Sequence, residues 1–369
     1  MRRIYCDHAA TTPIHPDVVA AMLTAPWGNP SSLHAEGRAA RAAVEAARRE
    51  VAALIGARPE EIIFTSGGTE ADNLAIAGAG GGRHVICSAV EHHAVLDACR
   101  ADGEVTAVPV DGRGRVDPDD VRRALRPDTA LVSIMLGNNE VATLQPVAEI
   151  AAICREAGVR CHSDAVQAAG KVQLDVGALG VDLLTLSAHK IYGPKGVGAL
   201  YVRSGVEMDP MVHGGGQERR WRPGTENVPG IVGFGRAAAL ARAELPARAA
   251  HLRAMAERLA AQVDCGQPTG DPAQRLPGIA SYVFADVDGQ ALLAALDLSG
   301  VAAASGSACT SGAPEPSHVL LAMGLPPDLA LTSVRLSLGR DTTAEDVDEV
   351  AAILRATVAR LRGKRAVRA

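Results

Sequence analysis

Aromatic side chains are scarce in this sequence, with 2 Trp, 4 Tyr and 3 Phe among 369 residues. Its core must therefore be built from Ala, Val, Leu and Ile, and a flat ligand has few rings to stack on. Long apolar runs are missing as well. No segment approaches the ~20 consecutive apolar residues that span a bilayer, so no membrane role is expected. Met1-Arg2-Arg3 leads straight into Ile4-Tyr5-Cys6-Asp7 without the apolar stretch of a secretory leader. There is no basic surplus: 37 Lys and Arg stand against 42 Asp and Glu, for a net charge of −5. A protein that coats nucleic acid needs that surplus to neutralise phosphates, so this class is excluded. The basic stretch 362–368 reads as a solvated tail. The seven cysteines are odd in number and form no Cys-x-x-Cys pair, which points to reduced thiols and a cytoplasmic protein. Repeats and low-complexity linkers are absent.

What is present is ample core material, 47% hydrophobic residues over a length that favours two domains. Residues 34–55 carry an apolar stripe of Val44, Val51, Leu54 and Ile55 between Ala, Arg and Glu, an amphipathic helix ended by Gly56. From there short β-branched segments alternate with helical ones. Strands are expected at 61–65, 84–87, 105–110, 130–136, 159–164 and 182–187. Helices are expected at 71–77, 93–100, 118–125 and 147–157. That alternation specifies an α/β fold with a mostly parallel sheet. Near residue 237 the texture changes to a long alanine-rich helical run, 237–263, which Pro246 is expected to kink or split. Strands at 278–284, 301–303 and 333–338 then suggest a smaller α+β domain.

Chemistry-bearing residues gather at the carboxyl ends of the expected strands, where open α/β sheets place ligands. Lys190 follows the strand 182–187 and precedes the turn Gly193-Pro194-Lys195-Gly196. A lysine there, partly desolvated, can form a Schiff base; the competing reading is a solvated surface lysine. Ser66-Gly67-Gly68-Thr69 follows a strand and opens a helix, an arrangement whose backbone N–H groups suit a phosphate. It is neither a Walker loop nor a dinucleotide fingerprint, and a glycine turn with a threonine cap is its plainer account. Glu91-His92-His93 lacks metal-ligand spacing, and no metal is expected; an imidazole stacked on a flat ring fits better. Asp164 ends another strand, as a helix cap or as a carboxylate that keeps a pyridine nitrogen protonated. Arg335 shares a strand face with Ser333 and Ser337, suited to a substrate carboxylate or to a structural ion pair. Cys309, set among Ser, Gly and Ala, reads as the reactive thiol, on an exposed and mobile loop. Cys87, Cys154 and Cys161 read as core.

Together these segments closely resemble the cysteine desulfurases, pyridoxal-phosphate enzymes of the class V aminotransferase type. The likeness rests on Asp7-His8-Ala9-Ala10-Thr11-Thr12-Pro13, Gly28-Asn29-Pro30-Ser31-Ser32, the Gly-Gly-Thr-Glu turn and Asn138-Asn139-Glu140. It continues through 187–198, 214–219, Gly224-Thr225-Glu226-Asn227 and 305–317. The resemblance implies a type I pyridoxal-phosphate transferase fold, with a large domain at 16–239 and a small domain from 1–15 and 240–369. Lys190 would carry the cofactor, His92 stack on its ring, Asp164 pair with its nitrogen and Gln167 contact its phenolic oxygen. Gly68, Thr69, Ser187 and His189 would hold the phosphate, joined by Thr225 from the second subunit of a homodimer. Asn139 and Arg335 would seat the carboxylate of L-cysteine. Cys309 would take up the sulfur as a persulfide, releasing L-alanine, and pass it to an acceptor or scaffold protein. Iron–sulfur cluster assembly and tRNA thiolation both draw on such enzymes. The alternatives are selenocysteine lyase, or another pyridoxal-phosphate transaminase or lyase.

Overall fold

The computed structural model describes residues 2–306 and 315–366. Strand β1 (Ile4–Tyr5) opens the chain. A seven-stranded sheet follows, made of β2 (Ile62–Thr65), β3 (His84–Ser88), β4 (Val105–Val108), β5 (Thr129–Ser133), β6 (Arg160–Asp164), β7 (Leu183–Ser187) and β8 (Gly198–Val202). Their order is β2-β8-β7-β6-β5-β3-β4. Every pairing is parallel except the two made by β8, which runs against both β2 and β7. β8 is a strand the sequence pattern does not announce. All five of its residues are buried, so no polar face marks it out.

The remaining strands are β9 (Gln267–Pro268), β10 (Ile279–Val283), β11 (Val301–Ala302) and β12 (Val334–Ser337). β12, β10 and β9 form an antiparallel sheet, while β1 pairs in parallel with β11. The first strand of the chain is thereby sewn to its last third. Two cores result. One surrounds the large sheet and includes Phe64, Val132, Ile150 and Phe234. The other packs Ile4, Cys6, Leu252, Phe284, Leu336 and Leu354.

A single helix, Val228–Ala260, contributes to both. It runs unbroken through Pro246, contrary to the expected kink or split. Pro246 is exposed, so the Arg242 carbonyl that loses its helical partner can turn to water, while Ala241 and Arg248 on either side are buried. The helix also begins nine residues earlier than its alanine-rich texture suggests. Gly233 and Gly235 obscured that start, and their task is close approach: a Cβ at Gly235 would lie 2.5 Å from Ala47 Cα of the helix Ala35–Leu54. No helix among the described residues is long and apolar enough to cross a membrane.

Candidate active site

A cavity of about 930 Å³ opens at the carboxyl ends of the parallel strands. Gly68 and Thr69 reach it from the turn after β2, His92 from the turn after β3, and Asn139 from the segment after β5. Asp164 and Gln167 come from the end of β6, Ser187, His189 and Lys190 from the end of β7, and Arg335 from β12. Ten of the twelve expected site residues thus meet in one place. Thr225 does not: it is exposed and lies away from the cavity lining. Cys309 lies outside the described residues.

Lys190 Nζ donates to the carbonyls of Ala9 at 2.5 Å and Ala10 at 2.8 Å. Burial, aided by the positive charge of Arg335, lowers its amine from the usual lysine range to about 8. The solvated-lysine reading therefore fails. Asp164 Oδ1 accepts from Val166 N at 2.8 Å. Burial raises this carboxyl to about 6, and its other oxygen has no hydrogen-bond partner among the described residues.

The helix Gly68–Gly80 starts without a side-chain cap, leaving its first N–H groups free at the cavity, with Ser187 Cβ close by. His189, bonded to Thr11 Oγ1 at 3.1 Å, is driven down to about 4 by burial and the nearby Lys190, so it stands neutral. His92 caps the helix His93–Asp102, its Nδ1 accepting from Ala94 N at 3.1 Å. That bond fixes the tautomer with the proton on Nε2.

Arg335 satisfies both of its readings in part. Nη2 pairs with Asp7 Oδ1 at 2.8 Å and Nη1 donates to Asn139 O at 2.9 Å. Its Nε is buried without a partner.

These features suit pyridoxal phosphate. An uncapped helix start fits the phosphate, a buried carboxyl with only one oxygen bonded fits a protonated ring nitrogen, and a desolvated amine fits the aldehyde.

Several residues of the site escaped the sequence reading. Glu140 is buried and raised to about 7 by that burial. Its Oε2 accepts from Ser317 Oγ at 2.5 Å, and a Cβ on Gly306 would collide with the same oxygen. One carboxyl group thus bonds Ser317 and lies against Gly306. Asp72, at the cavity, keeps Oδ1 unpartnered and is pushed well up by burial and by Asp164. Lys171 Nζ donates to Gln167 Oε1 at 2.9 Å. Four-residue spacing on a helical turn was the available signal for Lys171; Glu140 stood in the Asn138-Asn139-Glu140 motif with no role attached to it. Cys87, Cys154 and Cys161 are buried, as expected of core thiols.

The family model for class-V aminotransferases matches residues 4–350. A cysteine desulfurase IscS of Dictyoglomus turgidum is 46% identical, the match covering 98% of this chain and 96% of that protein. An IscS of Anaeromyxobacter dehalogenans is 50% identical, with coverages of 97% and 93%. Among solved structures, a NifS-like protein has a TM-score of 0.90 at 36% identity, covering 96% of this chain and 99% of its own. SspA in complex with cysteine has a TM-score of 0.81 at 34% identity, with coverages of 92% and 99%.

Proposed function

We propose that this cavity is where the chain, which belongs to the class-V aminotransferase family and is a pyridoxal-phosphate-dependent cysteine desulfurase, turns L-cysteine into L-alanine. The observation that carries the assignment of residues is the desolvated Lys190 beside the buried carboxyl of Asp164, raised to about 6. Lys190 would hold the cofactor, with Asp164 at its ring nitrogen, Gln167 at its phenolic oxygen and the neutral ring of His92 against its face. Gly68, Thr69, Ser187 and His189 would receive the phosphate. When bound, the group supplies an electron sink for charge developing on the substrate α carbon.

The chain's own residues supply the rest. Arg335 and Asn139 orient the substrate carboxylate. Lys190, with a pKa near 8, exists partly as free amine at neutral pH and can take and return a proton at the α carbon. The Cys309 thiolate attacks the substrate sulfur; the carbon–sulfur bond breaks as the sulfur–sulfur bond forms, leaving a persulfide on Cys309. An acceptor protein then draws the sulfur off.

We place the division between a large and a small domain at residues 239 and 240, within the helix that joins the two cores. A homodimer is part of the same reading, since Thr225 lies off this chain's own cavity and is free to serve a second copy's. The free thiols of the six described cysteines favour the reducing cytoplasm.

The test is mass spectrometry after incubation with cysteine and no reductant. One added sulfur is expected on the peptide containing Cys309, and Cys309→Ser should bind cofactor yet form no persulfide. Sulfur on Cys87 or Cys154 instead would reassign the nucleophile.

A further inference from the structure

Arginine carries nearly all the positive charge here: of 37 basic residues, only Lys171, Lys190, Lys195 and Lys364 are lysines. Two of these four meet at one site. Lys171 is buried and is not among the residues lining the cavity. Its Nζ donates to Gln167 Oε1 at 2.9 Å, so the other edge of that carboxamide must be the donor. Nε2 indeed donates to Ala9 O at 2.8 Å, and this carbonyl also accepts from Lys190 Nζ at 2.5 Å. Lys171, Gln167, Ala9 and Lys190 are consecutive links of one hydrogen-bonded chain.

We propose that Lys171 is a positioning residue: by donating to Gln167 Oε1 it fixes which edge of the carboxamide offers a donor, and acts on the bound cofactor through Gln167. The proposal rests on the reading that Gln167 meets the phenolic oxygen. The two edges of a carboxamide are nearly isosteric, and a flip exchanges donor for acceptor. An ammonium is donor-only and tolerates one orientation. A deprotonated amine can also accept, and then the preference relaxes. The charges acting on Lys171 from the surrounding elements are Lys190, Arg335 and Arg248, all cations, with His8 facing it from the amino-terminal segment. With burial they bring its deprotonation down to about 7, so the lock is tight below neutrality and loosens above it.

The experiment uses protein reconstituted with pyridoxal phosphate and compares wild type, Lys171→Met, Gln167→Leu and the double variant. Two quantities are read: the cofactor dissociation constant and the pH midpoint of the cofactor's absorbance band. Lys171→Met is expected to weaken cofactor binding about 2–10-fold, the effect of one neutral hydrogen bond. It should move the midpoint in the same direction as Gln167→Leu. The double variant should match Gln167→Leu, because the two act as one unit, and Lys171→Arg should return the midpoint toward wild type. A merely structural lysine would lower melting temperature without moving the midpoint. Additive shifts, or a Lys171→Met variant indistinguishable from wild type, overturn the proposal. If Lys171→Met does not fold, Lys171→Ala takes its place in the same cycle. Should Gln167→Leu leave both quantities unchanged, the reading of Gln167 fails; should only Lys171→Met do so, the positioning role alone fails.

Discussion

Arg335 Nη2 faces Asp7 and its buried Nε has no partner, so this guanidinium has donors both spent and in reserve. Arg335→Ala is expected to raise KM for cysteine about 10–150-fold, the range of a charge-assisted hydrogen bond, with cofactor content unchanged. Loss of cofactor in that variant would mean that the Asp7 pair is the residue's main work. Glu140 makes a pH prediction. Its folded pKa, about 7, lies above the ordinary glutamate value of 4.5 because burial penalises the charged form. A carboxyl raised on folding contributes stability that is full below the unfolded value and is lost as pH rises through the folded one. Between pH 5 and 8 the wild type should lose on the order of 2–3 kcal/mol relative to Glu140→Gln. Denaturant unfolding at the two pH values measures it, and parallel curves for the two proteins would refute the assignment.

At the scale of elements, three successive non-glycine residues, Glu218, Arg219 and Arg220, hold φ of 41°, 58° and 70°, in the left-handed region. The segment is pinned by Glu218, which accepts from Arg48 Nη2 at 2.6 Å and from Phe64 N at 2.7 Å. Arg220 is exposed and shares the strain without sharing the anchor. Arg220→Gly should stabilise the protein by about 0.5–1 kcal/mol, visible as a higher melting temperature; a lower one would show that the arginine makes contacts worth more than its strain. Elements were legible where pattern and period agree. The helix Val147–Ala157 lies where its apolar spacing puts it, and the alternation of β3 to β7 with helices foretold the parallel sheet. Legibility failed where a global constraint overrode a local one. A fully buried β8 shows no alternation, the glycines of the long helix serve packing against a neighbour, and an exposed proline costs that helix less than its chemistry suggests.

The whole molecule leaves Leu23, Trp27 and Leu33 at 81%, 85% and 84% exposure, unusual in a chain so poor in aromatics. Their covering by a second copy is the expectation, and Trp27→Glu should shift sedimentation toward the monomer and shorten cofactor retention, since Thr225 would no longer be supplied. A wild type that sediments as a monomer with full cofactor would remove the dimer from the account. Most of the site was readable because its residues sit at strand ends, which the sequence locates. Glu140 and Lys171 were not: the partner of Glu140 is 177 residues away, a contact no single segment encodes, while the partner of Lys171 is only 4 residues away, a spacing that by itself points to no chemistry. Glu140 has a consequence of another kind. Its buried carboxyl accepts from Ser317 Oγ and lies against Gly306, which lines the cavity, and Cys309 is the third residue beyond Gly306. Covalent geometry alone limits its Cα to about 11 Å from Gly306. If Cys309 carries the sulfur, as proposed, the chain itself sets how far that sulfur can travel from Gly306. So short a tether would give the thiol an effective concentration of at least the millimolar order toward the bound substrate. Toward the acceptor it would set a delivery radius, so that the receiving protein would have to bring its own sulfur to the rim of this cavity.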